Sequence, residues 1–185
     1  MNKSIDMKDR LIIANQYEIL SRLTDDSYEK KQFENLRDIF VSGFSRYYSL
    51  ATEHFSDELT DEECKFVVDT LSLYRELYYS WKNSDEAQAV ISEEDVLFRG
   101  FDLYDEIGVK YLSFYRFLVE QLGRYEEIKE LMKSGKIEDF NSHGFGPSIQ
   151  KLKKMISKRE QILALRDYNR AVKLTIEEIQ DIIKS

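Results

Sequence analysis

Between Cys64 and Trp81 the apolar side chains recur at steps of three and four: Cys64, Val67, Val68, Leu71, Tyr74, Leu77, Tyr78 and Trp81. That is the period of one face of an α-helix and not of a strand. Thr60 and Glu63 stand just ahead of it at capping-box spacing, where the hydroxyl accepts from the third helical N–H and the carboxylate reaches back. The pattern predicts a helix over 61–83, the longest regular element in the chain. Seven Gly and one Pro in 185 residues are too few turn residues for a fold of many short strands. The expected fold class is therefore all-α, a multihelical single domain over 1–185 with about six to eight helices.

Other segments repeat the logic. Asp6 is placed to cap a first helix to about Leu23, with Leu11, Ile12, Tyr17, Leu20 and Leu23 mostly on one side. A second helix follows the Thr24–Ser27 loop and carries Phe33, Leu36, Ile39 and Phe40 until Gly43 interrupts it. A short helix is expected over 45–55, and the polar stretch 83–88 is expected to break the chain. Ser92 and Asp95 have capping-box spacing for a short turn ending near Gly100. Asp102 is placed to cap a second long helix over 103–122, apolar nearly all round and so expected to be central or shared with another subunit. Tyr125 to Lys133 continues to a stop at Gly135. Residues 137–147 form the one Gly/Pro/Asn-rich loop, with Pro147 near the first position of a basic helix. Thr175 and Glu178 box the start of a last helix to Ile183.

Composition excludes more than it selects. With Cys64 alone no intrachain disulfide forms, and two histidines give no His-x-x-x-His, Glu-x-x-His or Cys-x-x-Cys spacing. No metal or cofactor is expected, and phosphate-loop and Gly-x-Ser-x-Gly signatures are absent. The first ten residues lack a signal-peptide core and no stretch reaches the length of a membrane span, so the expectation is cytoplasmic with no membrane association. The acidic runs Asp61–Glu63 and Glu93–Asp95 read as charges favoured by helix N-termini. Cys64 reads as a buried structural thiol. A net charge of −8 disfavours nucleic acid as a partner, but 148–174 carries +6 and leaves −14 on the rest. That segment reads as a solvated face, as a surface docked on acidic residues, or as a polyanion site using Lys151, Lys153, Lys154 and Lys158.

Arg116 and Glu120 lie one turn apart on the apolar helix and would need pairing if buried, with each other or with Arg99, Asp102 or Arg124. Converging arginines suit an anionic small molecule. His143 lies between Ser142 and Gly144 in the glycine-rich loop, where a partner can approach closely. The twelve Tyr and eleven Phe are spaced for packing. Tyr78, Tyr79, Trp81, Tyr111, Phe114 and Tyr115 exceed what one small domain buries, so a homo-oligomer is expected.

The segments RLIIANQYEIL (10–20), EECKFVVDTLSLYRELYYSW (62–81), FRGFD (98–102), YLSFYRFL (111–118), GRY (123–125), HGF (143–145) and LTIEEIQDII (174–183) occur in this order. Together they resemble the YfbU-type family of bacterial proteins over essentially the whole length. A longer stretch between Tyr125 and His143, and Gly146-Pro147 after HGF, depart from its pattern. The resemblance implies a multihelical cytoplasmic protein that self-associates, and no activity. It singles out Asn15 and Tyr17, and for ligand binding Arg99, Asp102, Arg116, Arg124, Tyr125 and His143. The leading expectation is a non-enzymatic oligomer acting as a binding or regulatory protein, with a possible protein partner. The alternatives are a sensor or enzyme for a small anion, and a polyanion binder.

Overall fold

The computed structural model describes residues 5–165 and 173–185, which group into two compact units divided after Glu58. Among the described residues the fold is all-α, and the one β-like feature is an isolated bridge between Phe101 and Asn141.

The first unit is a helical hairpin of α1 (Met7–Leu23) and α2 (Ser27–Ser42), followed by a 3-10 helix over Ser45–Ala51. Asp6 caps α1 as expected, and Asp26, within the Thr24–Ser27 start signal, caps α2. Tyr17 stacks on both Phe33 and Phe40, and Phe40 stacks on Tyr48 at 4.8 Å. Gly43 ends α2 in the left-handed region, and Arg10 closes that end by donating to the carbonyls of Phe40 and Val41. Glu18 accepts from Arg37 at 2.6 Å, and this pairing with Arg37, then Arg22, holds its carboxyl below the usual range.

The second unit is organised around α3 (Asp61–Lys82), whose Thr60–Glu63 capping box is complete. Its apolar face buries Val67, Leu71, Tyr74, Leu77 and Tyr78. Around it lie α4 (Asp85–Val90), α5 (Glu93–Val96), α6 (Gly108–Arg116) and α8 (Ile149–Ala164). Helix α7 (Glu126–Lys133) follows a π-helical turn over Phe117–Gln121, and α9 (Ile176–Lys184) packs on α8 behind its own complete capping box.

Four expectations need correction. The second long helix begins at Gly108 and not at 103, because Asp102 spends its carboxylate on the N–H of Tyr104 in a turn. The polar stretch after Asn83 forms α4, capped by Ser84. Ser92 caps α5 through the Glu94 N–H, two residues on, so the box with Asp95 does not form. The basic helix is capped by Ser148, which places Pro147 outside it. Eight helices of seven residues or more stand among the described residues, within the expected six to eight, and α4 and α5 are shorter additions.

The aromatic excess is absorbed inside the second unit. Tyr78, Tyr111 and Tyr115 are buried, and Trp81 and Phe114 pack against the same core. Tyr115 is fully enclosed, edge-on to Phe140 at 4.7 Å. Five of the six need no partner subunit to cover them, and Tyr79 is 41% exposed. Cys64 is half-buried rather than enclosed.

Candidate functional site

Two backbone runs that meet at the Phe101–Asn141 bridge build the site. The Phe101 N–H donates to the Phe140 carbonyl, and the Ser142 N–H donates back to Phe101. Gly100 makes this approach possible. Its φ is +106°, and a Cβ there would stand 1.9 Å from the Phe140 carbonyl oxygen. Asn141 then locks the loop, because its side-chain oxygen accepts from the N–H groups of both Leu103 and His143.

Those two donors settle which way the Asn141 amide faces. Its NH2 group therefore donates to His143 Nδ1 at 3.1 Å. Nδ1 acts as the acceptor, so the proton of the neutral ring sits on Nε2 and offers a donor. His143 holds a φ of +51°, a left-handed conformation uncommon outside glycine, and Gly144 continues it at +81°.

His143 and Arg99 line one cavity of about 700 Å³, floored by Leu97 and Ile137. A second cavity of about 350 Å³ shares Glu94, Leu97, Arg99 and Phe145 with it. Phe145 stands between them, 79% exposed. Two of the three lining carboxylates are met in pairs, and Glu138 is the third. Arg99 reaches Glu94 at 3.3 Å, and Lys136 pairs with Glu93, which raises the lysine pKa.

Of the six residues singled out for a ligand, Arg99 and His143 share this cavity, and Asp102 belongs to the adjoining turn. The other three lie outside its lining. Arg116 is exposed, its guanidinium 5.3 Å from the Phe140 ring centre, and Glu120 is exposed too, so no buried network forms around them. Arg124 is exposed, and its backbone N–H closes the π-helical turn on Leu118. Tyr125 is buried with φ +57°, its hydroxyl between Ser72 and the Val68 carbonyl and its ring under Arg75. It is a pin between α7 and α3. Of the remaining pair, Asn15 is exposed on α1 and Tyr17 is packing.

Sequence reasoning missed Glu93, Glu94, Lys136 and Phe145 as lining. Phe145 had a signal in the HGF motif; the glutamates were read only as first-turn charges, which they also are.

The basic helix does not present one continuous positive face among the described residues. Arg159 makes a bidentate pair with Glu76, and Lys158 reaches Asp181 at 3.2 Å. Lys153 lies over the Phe66 ring, Lys151 lines the smaller cavity, and Lys154 is exposed. Arg166 and Arg170 lie outside the described residues. Nor is any group of three or more His, Cys, Asp or Glu arranged to hold a metal among the described residues, and no helix there is long and apolar enough to cross a membrane.

Comparison with known proteins agrees with the order of motifs. The UPF0304 protein MJECS11 of Methanocaldococcus jannaschii is 34% identical over 179 residues, which cover 96% of this chain and 97% of that protein. The model of the YfbU domain matches residues 4–185, and the chain belongs to the YfbU family.

Proposed function

We propose that this chain is a self-associating, non-enzymatic binding protein that takes a small molecule bearing a carboxylate or phosphate in the Arg99/His143 cavity. One observation carries the reading: Arg99 and a His143 ring whose Nε2–H is set by Asn141 line the same large cavity. Guanidinium and imidazole N–H groups suit anion oxygens, while Leu97, Ile137 and the exposed Phe145 suit an apolar body. The Arg99–Glu94 contact is exposed and long, so an anion displaces it at little cost. Binding is favoured over catalysis because Glu93 holds Lys136 in its protonated form and the Arg99 guanidinium does not exchange its proton near neutral pH.

The test is thermal unfolding with inorganic phosphate and a panel of aliphatic and aromatic carboxylates, beside native mass spectrometry of the protein as purified. A ligand at ten times its Kd adds about 1.4 kcal/mol of stability. The wild type should show that shift for at least one class, and Arg99→Ala and His143→Asn should lose it. Asparagine tolerates the left-handed backbone at 143, so the loop survives. No retained mass and no shift, or an equal shift in Arg99→Ala, refutes the anion site.

A further inference from the structure

Helix α1 has two apolar faces. One carries Ala14 and Tyr17 and packs in the hairpin. The opposite one carries Ile12, Ile19 and Leu23 with Asn15 and Gln16, all exposed, and Leu11 and Leu20 border it on its two edges, also exposed. An exposed apolar face of this kind marks an interaction surface. The exposed residues over 11–20 read the same class of side chain from either end, Leu-Ile, two residues, Asn-Gln, two residues, Ile-Leu, and the inner four, Ile12, Asn15, Gln16 and Ile19, share this face. Its centre of symmetry falls between Asn15 and Gln16.

A palindrome of this kind makes a helix complementary to its own antiparallel copy, which is the condition for an isologous two-fold interface. We infer that α1 pairs antiparallel with α1 of a second copy of this chain, about a two-fold axis between Asn15 and Gln16. Ile12 then packs against Ile19 of the second copy, Asn15 and Gln16 flank the axis, and Leu11 and Leu20 border the contact on opposite edges. Lys8 lies level with Leu23, and Asp9 with Arg22. Parallel pairing would instead set Lys8, Asp9 and Arg22 each level with its own like charge, and it would align the helix dipoles unfavourably. Leu11, Ile12, Ile19, Leu20 and Leu23 are 41–73% exposed, and with Lys8, Asn15 and Gln16 beside them they form the surface that such a pairing covers.

This inference rests on the proposed self-association and gives it a surface, a partner and a symmetry. The experiment uses the full chain with Cys64→Ser as background and one cysteine at a time, treated with a bis-maleimide of about 8 Å span. Asn15→Cys, beside the axis, should cross-link to a dimer, whereas Leu11→Cys and Leu23→Cys, far from their own counterparts, should not. Ile12→Asp, on the exposed face, should leave helicity unchanged and give the monomer mass in sedimentation at tens of micromolar. Cross-linking at all three positions would mean parallel pairing and overturn the inference. A dimer untouched by Ile12→Asp would overturn the surface but leave self-association standing, and a monomeric parent chain would overturn both.

Discussion

Arg159 and Glu76 join α8 to α3, and the strength of that junction can be worked from the structure. The guanidinium donates through two nitrogens to both carboxylate oxygens, with the side chains only 15% and 20% exposed. Fully exposed pairs contribute about 0–1 kcal/mol, and breaking a fully buried one costs about 3–5 kcal/mol. This pair lies between those limits, so losing one partner should cost about 2 kcal/mol. The two single substitutions should not be equal. Hydrogen bonding to Glu76 is the main cause that raises the Arg159 pKa, with smaller help from Asp69 and Glu160. Glu76→Ala leaves those two carboxylates to compensate the arginine. Arg159→Ala leaves Glu76 without its cation, so it should cost more, by about 1 kcal/mol. In a double-mutant cycle read by urea unfolding, the double variant should cost about 1–2 kcal/mol less than the sum of the singles. Single costs under 0.5 kcal/mol with no coupling would refute the view that this pair docks the basic helix.

Two further predictions concern the same core. Burial raises the pKa of both Tyr74 and Tyr115, so each keeps its proton when folded at a pH where the unfolded chain has lost it. The unfolded state then binds fewer protons, and stability must fall as pH rises above about 10. In an absorbance titration at 295 nm these two tyrosines should ionise only together with unfolding; early, reversible ionisation of all twelve would contradict their burial. Gly100→Ala should destabilise the second unit by about 3 kcal/mol or more, since a methyl group would strike the Phe140 carbonyl and the backbone lies at positive φ. A wild-type melting temperature in that variant would show that the two runs do not meet as described.

Long regular helices were legible because their signals are local. The eight-residue apolar stripe of α3 and both complete capping boxes follow from side chains three or four positions apart. Short elements were not. Asp102 and Ser92 have side chains equally able to cap a helix or close a turn, and tertiary placement decided between those uses. Three of the six ligand candidates lie apart from the cavity for the same reason. Arg116 and Arg124 are exposed and Tyr125 is locked under Arg75, placements set by contacts with residues distant in the chain.

The sequence by itself determined the all-α class, the main helices with their caps, and the palindrome on α1, all properties of residues near one another in the chain. Only the tertiary structure decided which charges were paired off and which face a cavity. It turned a basic stretch into a docked helix through Arg159 and Lys158, and it brought Arg99 to His143 across 44 positions of chain. The physical reason is range: periodicity and capping are settled over a helical turn, whereas ion pairing and cavity lining depend on which distant surfaces burial forces together.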